Sequence, residues 1–426
     1  MIIHAPQKEI RGDRVRLSAL VEVESRPKMT DQLWFELPAE YAEHLTVQAN
    51  PFASMLLLPA MRLGERLRVS GDVSPLLAKN LERYQRLFLE WFPHIFRPVQ
   101  VEFERLTVED LPTAAERFVA STFSGGVDSF HTMLSILSGQ VGAVPDYKYL
   151  IIIHGFDIWL NDTATFSAAE RRYSRLAEQL GLRLLPVTTN YRELLAVRDV
   201  DWELAHGAVL GGIGQLMSPL LSKFYIPSSH EDDKRLPWGS HPDADPLLSS
   251  ENLTIIHHAP TVPRIEKTSL VAESPYAHDN LRVCWDNAAG VNNCCRCSKC
   301  LRTMLTLDIL GQLEKFKTFS KPLPKSLRRW AMTTDSSVMF GQEILEFARR
   351  MNATRYLSDM TYAIWRSALT IRLSNAISRL LRIEGHWSSH FVRHTLFRLQ
   401  GLMPWPKLFL RERWHNIFSR QNRRQA

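Results

Sequence analysis

The strongest chemical pattern in the chain is the sequence Ser-Gly-Gly-Val-Asp-Ser at residues 124–129. Two adjacent glycines let a backbone approach an anion closely and turn its N–H groups inward. The flanking serine hydroxyls add hydrogen-bond donors, and the carboxylate of Asp128 is a ligand type that Mg²⁺ prefers. The hexapeptide therefore predicts a phosphate-binding loop, with Asp128 and Ser129 as candidate catalytic residues. A tight turn without a ligand is the alternative.

The surroundings of this loop fit phosphate binding. Residues 117–123 read as a short buried strand, and residues 130–137 read as the helix that follows. A helix that begins at such a turn points its dipole and its free N–H groups at an anion. The loop is not a Walker A sequence, because no Gly-Lys-Ser/Thr follows the first glycine at the required spacing.

Cysteine placement is the second signal, because all five cysteines lie between residues 284 and 300. Four of them follow the spacing Cys284-x9-Cys294-x2-Cys297-x2-Cys300, which suits the tetrahedral site that Zn²⁺ prefers. An iron–sulfur cluster or redox thiols are alternatives. Disulfides are disfavoured because the N-terminus lacks the layout of a signal peptide, so a cytoplasmic location is expected. Cys295 could replace Cys294 at almost the same reach.

The hexapeptide resembles the PP-loop of the ATP pyrophosphatase families, which cleave ATP between the α- and β-phosphates and transfer AMP to an acceptor. With the cysteine ending Cys-Ser-Lys-Cys-Leu-Arg at residues 297–302, the chain from about 117 to 312 resembles the 7-cyano-7-deazaguanine synthase family. Cys295 stands where that family has glycine, and the usual enzyme lacks the flanking regions. The resemblance implies ATP, Mg²⁺ and Zn²⁺ as cofactors, and a carboxylate-to-amide or nitrile conversion on a deazapurine.

The elements between the two motifs predict an α/β fold with a doubly wound parallel sheet. Residues 149–153 form an apolar, β-branched run without polar alternation, as in a strand that is buried on both faces. A helix is predicted over 165–180, followed by a strand at 182–187, a helix at about 204–221 and a strand at 223–226. Ligands bind at the carboxyl ends of strands in such sheets.

That edge of the sheet supplies the remaining candidate site residues. In the resembling family, strand ends equivalent to Thr122, Phe123, Ile153 and His154 receive the adenine. The residues expected to bind the nucleotide are Thr122, Phe123, Ser124, Gly125, Gly126, Val127, Asp128, Ser129, His154 and Gly155. Lys267 and Arg264 lie in a stretch that resembles the lysine-containing stretch of that family, and Lys267 is the third candidate catalytic residue, neutralising phosphate charge. Ordinary basic residues on the surface are the alternative. The polar loop 228–245 is either part of the site or a solvated loop.

Three regions are expected along the chain. Residues 1–115 form an N-terminal α+β domain of unknown role, with strands near 14–23, 32–37 and 66–70 and a helix over 75–91. Residues 116–312 form the PP-loop domain with the zinc-binding segment 284–300, and residues 313–426 form a basic helical region. No stretch approaches the roughly 20 apolar residues that cross a bilayer.

Charge is distributed unevenly. Residues 311–426 contain 21 Lys and Arg against 7 Asp and Glu, whereas the preceding 310 residues contain 31 against 38. The basic region ends with aromatic residues among arginines, including Trp405, Phe409, Trp414 and Phe418. It is a candidate for binding nucleic acid or an anionic surface, with a solvated helical face as the alternative.

The predicted activity is that of an ATP-dependent ligase or synthase that adenylates an acceptor, a carboxylate by resemblance, and releases pyrophosphate. Ammonia or a nitrogen-donating partner then attacks, since position 2 is Ile2 rather than a glutaminase cysteine. One alternative is a tRNA-thiolating enzyme that uses Cys295 as a catalytic thiol. Another is a module that senses nucleotides without turnover. A homo-oligomer is compatible with all three.

Overall fold

The structure is a computed structural model that describes residues 1–25, 30–142, 144–197, 199–229, 237–287, 289–380 and 386–400. The strands are β1 (Ile2–Ile3), β2 (Gln7–Arg11), β3 (Arg14–Glu22), β4 (Thr30–Pro38), β5 (Leu67–Val73), β6 (Val101–Leu106), β7 (Phe118–Thr122), β8 (Tyr147–His154), β9 (Arg183–Thr189), β10 (Leu221–Pro227) and β11 (Thr254–His258). The helices are α1 (Asn50–Leu63), α2 (Pro75–Trp91), α3 (Val127–Leu137), α4 (Thr163–Gln179), α5 (Trp202–Leu216), α6 (Arg264–Glu273), α7 (Pro275–His278), α8 (Ser298–Ile309), α9 (Asp335–Arg350), α10 (Leu357–Leu380) and α11 (His386–Leu399).

Within the described residues, eleven strands form one mixed, mostly parallel sheet. The strand order is β11-β10-β7-β8-β9-β4-β3-β1-β5-β6, and β2 pairs with β3. From β11 to β9 all neighbours are parallel, and the antiparallel pairs lie in the N-terminal half and where β4 meets β9. The chain thus enters the parallel half at β7, adds β8 and β9 on one side, and then adds β10 and β11 on the other.

Helices cover both faces of the parallel half, which confirms the α/β prediction. Phe224 of β10 faces α5, where a side chain at Gly214 would collide with its ring. The next residue, Tyr225, faces the opposite side and packs with Ile136 of α3. Alternate side chains of one strand therefore enter two different apolar layers, as in a doubly wound sheet.

The N-terminal strands continue this same sheet. Residues 35 and 36 of β4 pair with residues 189 and 188 of β9, and α1 packs against α5. The helices α1 and α5 pack closely, since a side chain on Gly212 of α5 would overlap Met55 and the carbonyl of Pro51 in α1. Residues 1–115 therefore share one sheet and one core with the residues that follow, whereas the sequence predicted a separate domain.

The chain divides into two compact units with bounds that differ from the predicted domains. The first contains Met1–Thr303 and Leu310–Lys321, and the second contains Met304–Ile309 and the described residues from Pro322 onward. In the second unit, α10 packs against α9 and α11.

Local sequence signals explain where the helices begin. Ser74 precedes α2 and its hydroxyl accepts a hydrogen bond from the N–H of Leu77, while Pro75 occupies the first helical position. Asp162 caps α4 in the same way through the N–H of Thr165 at 3.2 Å. Both caps satisfy N–H groups that a helix leaves without partners, and they mark where α2 and α4 begin.

Candidate nucleotide and metal site

Residues 124–129, called the glycine loop below, follow β7 and include the first residues of α3, which begins at Val127. Because β8 and β10 lie on opposite sides of β7, the loop follows the strand at which the order of the sheet reverses. Crevices at this point, outside the carboxyl ends of the strands, are where open α/β sheets bind ligands. Gly126 immediately precedes α3, so the loop delivers its backbone to the N-terminus of that helix.

Gly125 is fixed in this loop by conformation and by space. Its φ of +76° lies in the left-handed region, and a Cβ there would overlap the Tyr173 hydroxyl of α4. The Tyr173 ring packs edge-on against Phe123, whose ring also contacts Phe130 of α3. The three rings therefore form an aromatic cluster that packs against the loop at Gly125.

The serines of the loop organise it internally. The Ser129 hydroxyl donates to the carbonyl of Gly126 at 3.0 Å, and the Gly126 N–H donates to the Ser124 hydroxyl at 3.3 Å. Ser124 is exposed whereas Ser129 is buried. The loop thus holds its shape in part through its own hydroxyls, and it leaves Ser124 accessible.

Positive charge from α6 surrounds Asp128. Arg264 Nη1 donates to Asp128 Oδ2 at 2.6 Å. Burial raises the pKa of Asp128, but the charges of Arg264 and Lys267, with a smaller effect of Arg302, outweigh it and leave the pKa below its ordinary value. Asp128 is thus ionised at neutral pH and several cations surround it, an arrangement that attracts a polyanion.

Lys267 is almost completely buried, with 2% of its surface exposed. Its ammonium donates to the carbonyl of Ser228 at the end of β10 at 2.7 Å. Burial, and next the charge of Lys267, lower the pKa of His131 to about 4, so that imidazole is neutral at neutral pH. His131 was not among the predicted site residues, and only its position one turn after Asp128 on α3 could have indicated it.

His154 and Gly155 end β8 beside the glycine loop. His154 Nε2 lies 3.0 Å from the carbonyl of Trp159, and the ring stacks on Phe166 at a centroid distance of 4.2 Å. Gly155 has a φ of +100°, and a Cβ there would overlap the carbonyl oxygen of Thr189.

Thr122 and Phe123 end β7, where the Phe123 N–H donates to the carbonyl of Ile151 at 2.8 Å. These contacts hold the carboxyl ends of β7 and β8 in place along one edge of the sheet.

The polar loop after β10 is only partly described. His230, Glu231, Asp232 and Asp233 lie outside the described residues. In the described part, the fully buried Asp245 accepts hydrogen bonds from the Ser240 hydroxyl at 2.6 Å and lies 2.7 Å from His257 Nδ1. This contact fastens the loop to β11, which gives Asp245 and His257 a structural role.

The four predicted metal ligands converge. The sulfur atoms of Cys284, Cys294, Cys297 and Cys300 all lie within 4.8 Å of one another, and Cys294 and Cys300 are 3.8 Å apart. A tetrahedral ion with zinc–sulfur bonds of about 2.3 Å requires sulfur atoms about 3.8 Å apart, so the group fits Zn²⁺. Hydrogen bonds from the other three thiols favour the thiolate of Cys284 and lower its pKa. The corresponding hydrogen bonds favour the protonated form of Cys300 and raise its pKa.

Cys295 does not belong to this group. Its φ of +59° turns the side chain away from its neighbour Cys294, and its thiol donates to the carbonyl of Asn293 at 3.4 Å. The side chain is buried, with 4% exposed. Of the two adjacent cysteines, the structure therefore selects Cys294 as the metal ligand.

Asn293 joins the two halves of residues 282–300, called the cysteine segment below. Its Oδ1 accepts from the N–H groups of Val283 and Cys284 at 2.8 and 3.2 Å. Its Nδ2 donates to the carbonyl of Leu281 at 2.9 Å and to the Thr318 hydroxyl at 3.1 Å. A single buried amide thus holds Cys284 close to the Cys-x2-Cys pair, a role that the sequence did not signal.

The cysteine segment also contacts the glycine loop. The N–H of Arg282, two residues before Cys284, donates to the carbonyl of Gly125 at 2.7 Å. Arg282 Nη2 donates to Asn287 Oδ1, and Asn287 Nδ2 donates to the carbonyl of Asp157 at 2.7 Å. Arg282 and Asn287 therefore connect the metal segment, the glycine loop and the loop after β8.

Several buried polar atoms near the glycine loop lack a hydrogen-bond partner among the described residues. They are Asp128 Oδ1, His131 Nδ1, Tyr173 Oη and Arg282 Nε. Folded proteins rarely leave such atoms unsatisfied, because each costs about 1–3 kcal/mol. Such atoms can form hydrogen bonds with a polar ligand that enters the site.

The basic C-terminal region is described only in part, because Trp405, Phe409, Trp414 and Phe418 lie outside the described residues. Its binding to nucleic acid or an anionic surface therefore stays a prediction. Among the described residues, every helix is too short or too polar to cross a bilayer.

Comparisons of the chain with protein-family models, curated proteins and solved structures find no match. The site is therefore interpreted from its own geometry.

Proposed function

We propose that the chain is an ATP-dependent ligase or synthase that binds ATP at the glycine loop and transfers AMP to an acceptor. The observation that carries this proposal is the position of the loop after β7, where the sheet order reverses, together with the cations around Asp128. A loop of this shape binds phosphate through backbone N–H groups and a helix N-terminus.

In the proposed reaction, a carboxylate oxygen of the acceptor attacks the α-phosphorus of ATP. The bond between the α-phosphorus and the bridging oxygen breaks, and pyrophosphate leaves with the electron pair. Ammonia then attacks the carbonyl carbon of the acyl-adenylate, AMP leaves, and one proton is released to form the amide. The resemblance to 7-cyano-7-deazaguanine synthases favours a carboxylated deazapurine as the acceptor.

The residues of the site have distinct parts in this proposal. Arg264 and Lys267 would neutralise charge that develops on the phosphates, and their positions on α6 are fixed by Asp128 and by the Ser228 carbonyl. Asp128 Oδ1, which lacks a partner among the described residues, would be the ligand for Mg²⁺, which supplies charge neutralisation when bound. The backbone at Thr122, Phe123 and His154 would contact adenine.

The cysteine segment would have a structural part. Four converging thiolates leave no open coordination position for a substrate, as in structural zinc sites. The buried thiol of Cys295 argues against sulfur transfer, because a catalytic thiol has to reach its substrate.

The test is pyrophosphate release from ATP by the zinc-loaded chain, with 7-carboxy-7-deazaguanine and ammonium as co-substrates. Asp128→Asn is expected to lower the rate at least a hundredfold, because it removes the carboxylate charge that orders Arg264 and that would hold Mg²⁺. Asp72→Asn is the matched control, since Asp72 also pairs with an arginine, Arg105 at 2.9 Å, in the N-terminal half. Phosphate release in place of pyrophosphate, or equal rates in both variants, would contradict the proposal.

A further inference from the structure

Tyr173 and Arg282 flank the glycine loop, and the sequence signalled neither as a site residue. The Tyr173 hydroxyl lies against the Cα of Gly125, since a Cβ at that glycine would overlap it. The Arg282 N–H donates to the Gly125 carbonyl. Both side chains are at least nine-tenths buried, with 0% and 5% of their surfaces exposed. They therefore form part of the loop's immediate surroundings, from α4 and from the start of the cysteine segment.

Each of these side chains carries a donor that is not used. Tyr173 Oη and Arg282 Nε are buried and have no hydrogen-bond partner among the described residues. Burial raises the pKa of Tyr173 to about 12, so its hydroxyl keeps its proton at neutral pH. The positive charge of Arg282 is close enough to act on Tyr173 and opposes that rise. Both residues contact Gly125, and both donors suit an anion.

We infer that Tyr173 Oη and Arg282 Nε bind a phosphate group of the nucleotide at the glycine loop. This inference rests on the proposed function and names two further binding residues for it. The donors gain a charged acceptor when phosphate enters, and a hydrogen bond to a charged group stabilises more than one between neutral groups. The glycines at 125 and 126 give the backbone between them the freedom to adjust.

A purely structural role predicts a different response to mutation. If the Tyr173 hydroxyl had no ligand, its removal would relieve an unsatisfied buried group and would leave nucleotide binding unchanged. The chain offers a matched control in Tyr84 of α2, which is also fully buried and whose hydroxyl also has no partner among the described residues. Tyr84 lies in the N-terminal half, where its ring stacks on Phe88 of α2.

The experiment compares Tyr173→Phe and Tyr84→Phe in the full zinc-loaded chain. Calorimetry measures the dissociation constants of Mg-ATP and of inorganic pyrophosphate, and urea denaturation measures stability. Tyr173→Phe is expected to weaken both ligands about tenfold, equivalent to about 1.4 kcal/mol, without loss of stability. Tyr84→Phe is expected to leave both constants unchanged. Arg282→Lys, which keeps the charge and loses Nε, is expected to weaken both ligands to a similar extent while the zinc content stays at the wild-type level.

The outcomes separate this inference from the proposed function. If the wild-type chain binds both ligands and Tyr173→Phe binds them equally well, the inference is overturned and the nucleotide site stands. If the wild-type chain binds neither ligand, the proposed function fails, and the inference fails with it. A loss of affinity that appears in Tyr84→Phe as well would also overturn the inference, because the effect would then come from general destabilisation.

Discussion

The cysteine segment and the glycine loop differ in the sequence separation of the residues that form each site. All four sulfur atoms of the metal group come from residues 284–300 and lie within 4.8 Å of one another. The glycine loop takes its surroundings from α4, α6 and Arg282, which lie up to about 150 residues away in sequence. A metal centre can thus be local, whereas a phosphate site needs cations and donors that only the tertiary fold assembles.

The two regions are also linked. The N–H of Arg282, two residues before the first metal ligand Cys284, donates a hydrogen bond to the carbonyl of Gly125 in the glycine loop. A change in the cysteine segment should therefore affect the loop. The reverse effect should be weaker, since the sulfur atoms are held by Asn293 and by one another.

The largest effect is expected from loss of a metal ligand. Cys300→Ser should reduce bound zinc from about one ion per chain to nearly none and lower the melting temperature by about 10 °C, because metal binding stabilises only the folded chain. Elemental analysis and thermal denaturation measure both. Cys295→Ser should keep its zinc. Equal zinc in the two variants would show that the sulfur group described above is not the metal site.

A substitution in the glycine loop should have an intermediate effect. Gly125→Ala combines left-handed strain with overlap on Tyr173, so we expect a loss of about 3 kcal/mol in the free energy of unfolding. Gly139→Ala has nearly the same φ, +72°, but open space around it, and should cost about 1 kcal/mol. Urea denaturation measures both values. Equal losses would mean that conformation alone requires the glycine, and that the Tyr173 contact contributes nothing.

The smallest effect should come from the connection between the two regions. Asn287→Ala removes the acceptor of Arg282 and the donor to the Asp157 carbonyl, so we expect Mg-ATP to bind about fivefold more weakly with zinc unchanged. Asp286→Asn, which alters only an exposed ion pair with Arg296 at 3.4 Å, is the neighbouring control. Loss of zinc from Asn287→Ala would place its role in the cysteine segment instead.

Much of the fold was predictable because its elements carry local signals. The strand predicted at 149–153 is β8, the helix predicted over 165–180 is α4, and the helix predicted over 75–91 is α2 with the same bounds. The helix α1 was missed, because Pro59 lies within it and argues against a helix when only local rules are used. The packing of α1 on α5 holds it in place.

The site was predictable to a different degree in its two parts. The spacing of the cysteines was sufficient to name the metal group, although only the backbone at Cys295 decides between that residue and Cys294. For the glycine loop, the sequence indicated the loop and Lys267, but Tyr173 and Arg282 belong to no local pattern. Their roles depend on which residues the sheet brings together, and a single sequence does not contain that information in any short window.

The pairing of β4 with β9 has a consequence for the synthesis of the chain. Only residues 35 and 36 of β4 find strand partners there, and the Asn190 side chain extends the pairing to Gln32 and Trp34. The ribosome completes β4 about 150 residues before it completes β9, an interval of about 10–30 s at the usual rates of translation. During that interval the N-terminal strands present an open edge, which is a template for aggregation. We therefore expect nascent chains shorter than about 190 residues to depend on chaperones until the second half of the sheet arrives.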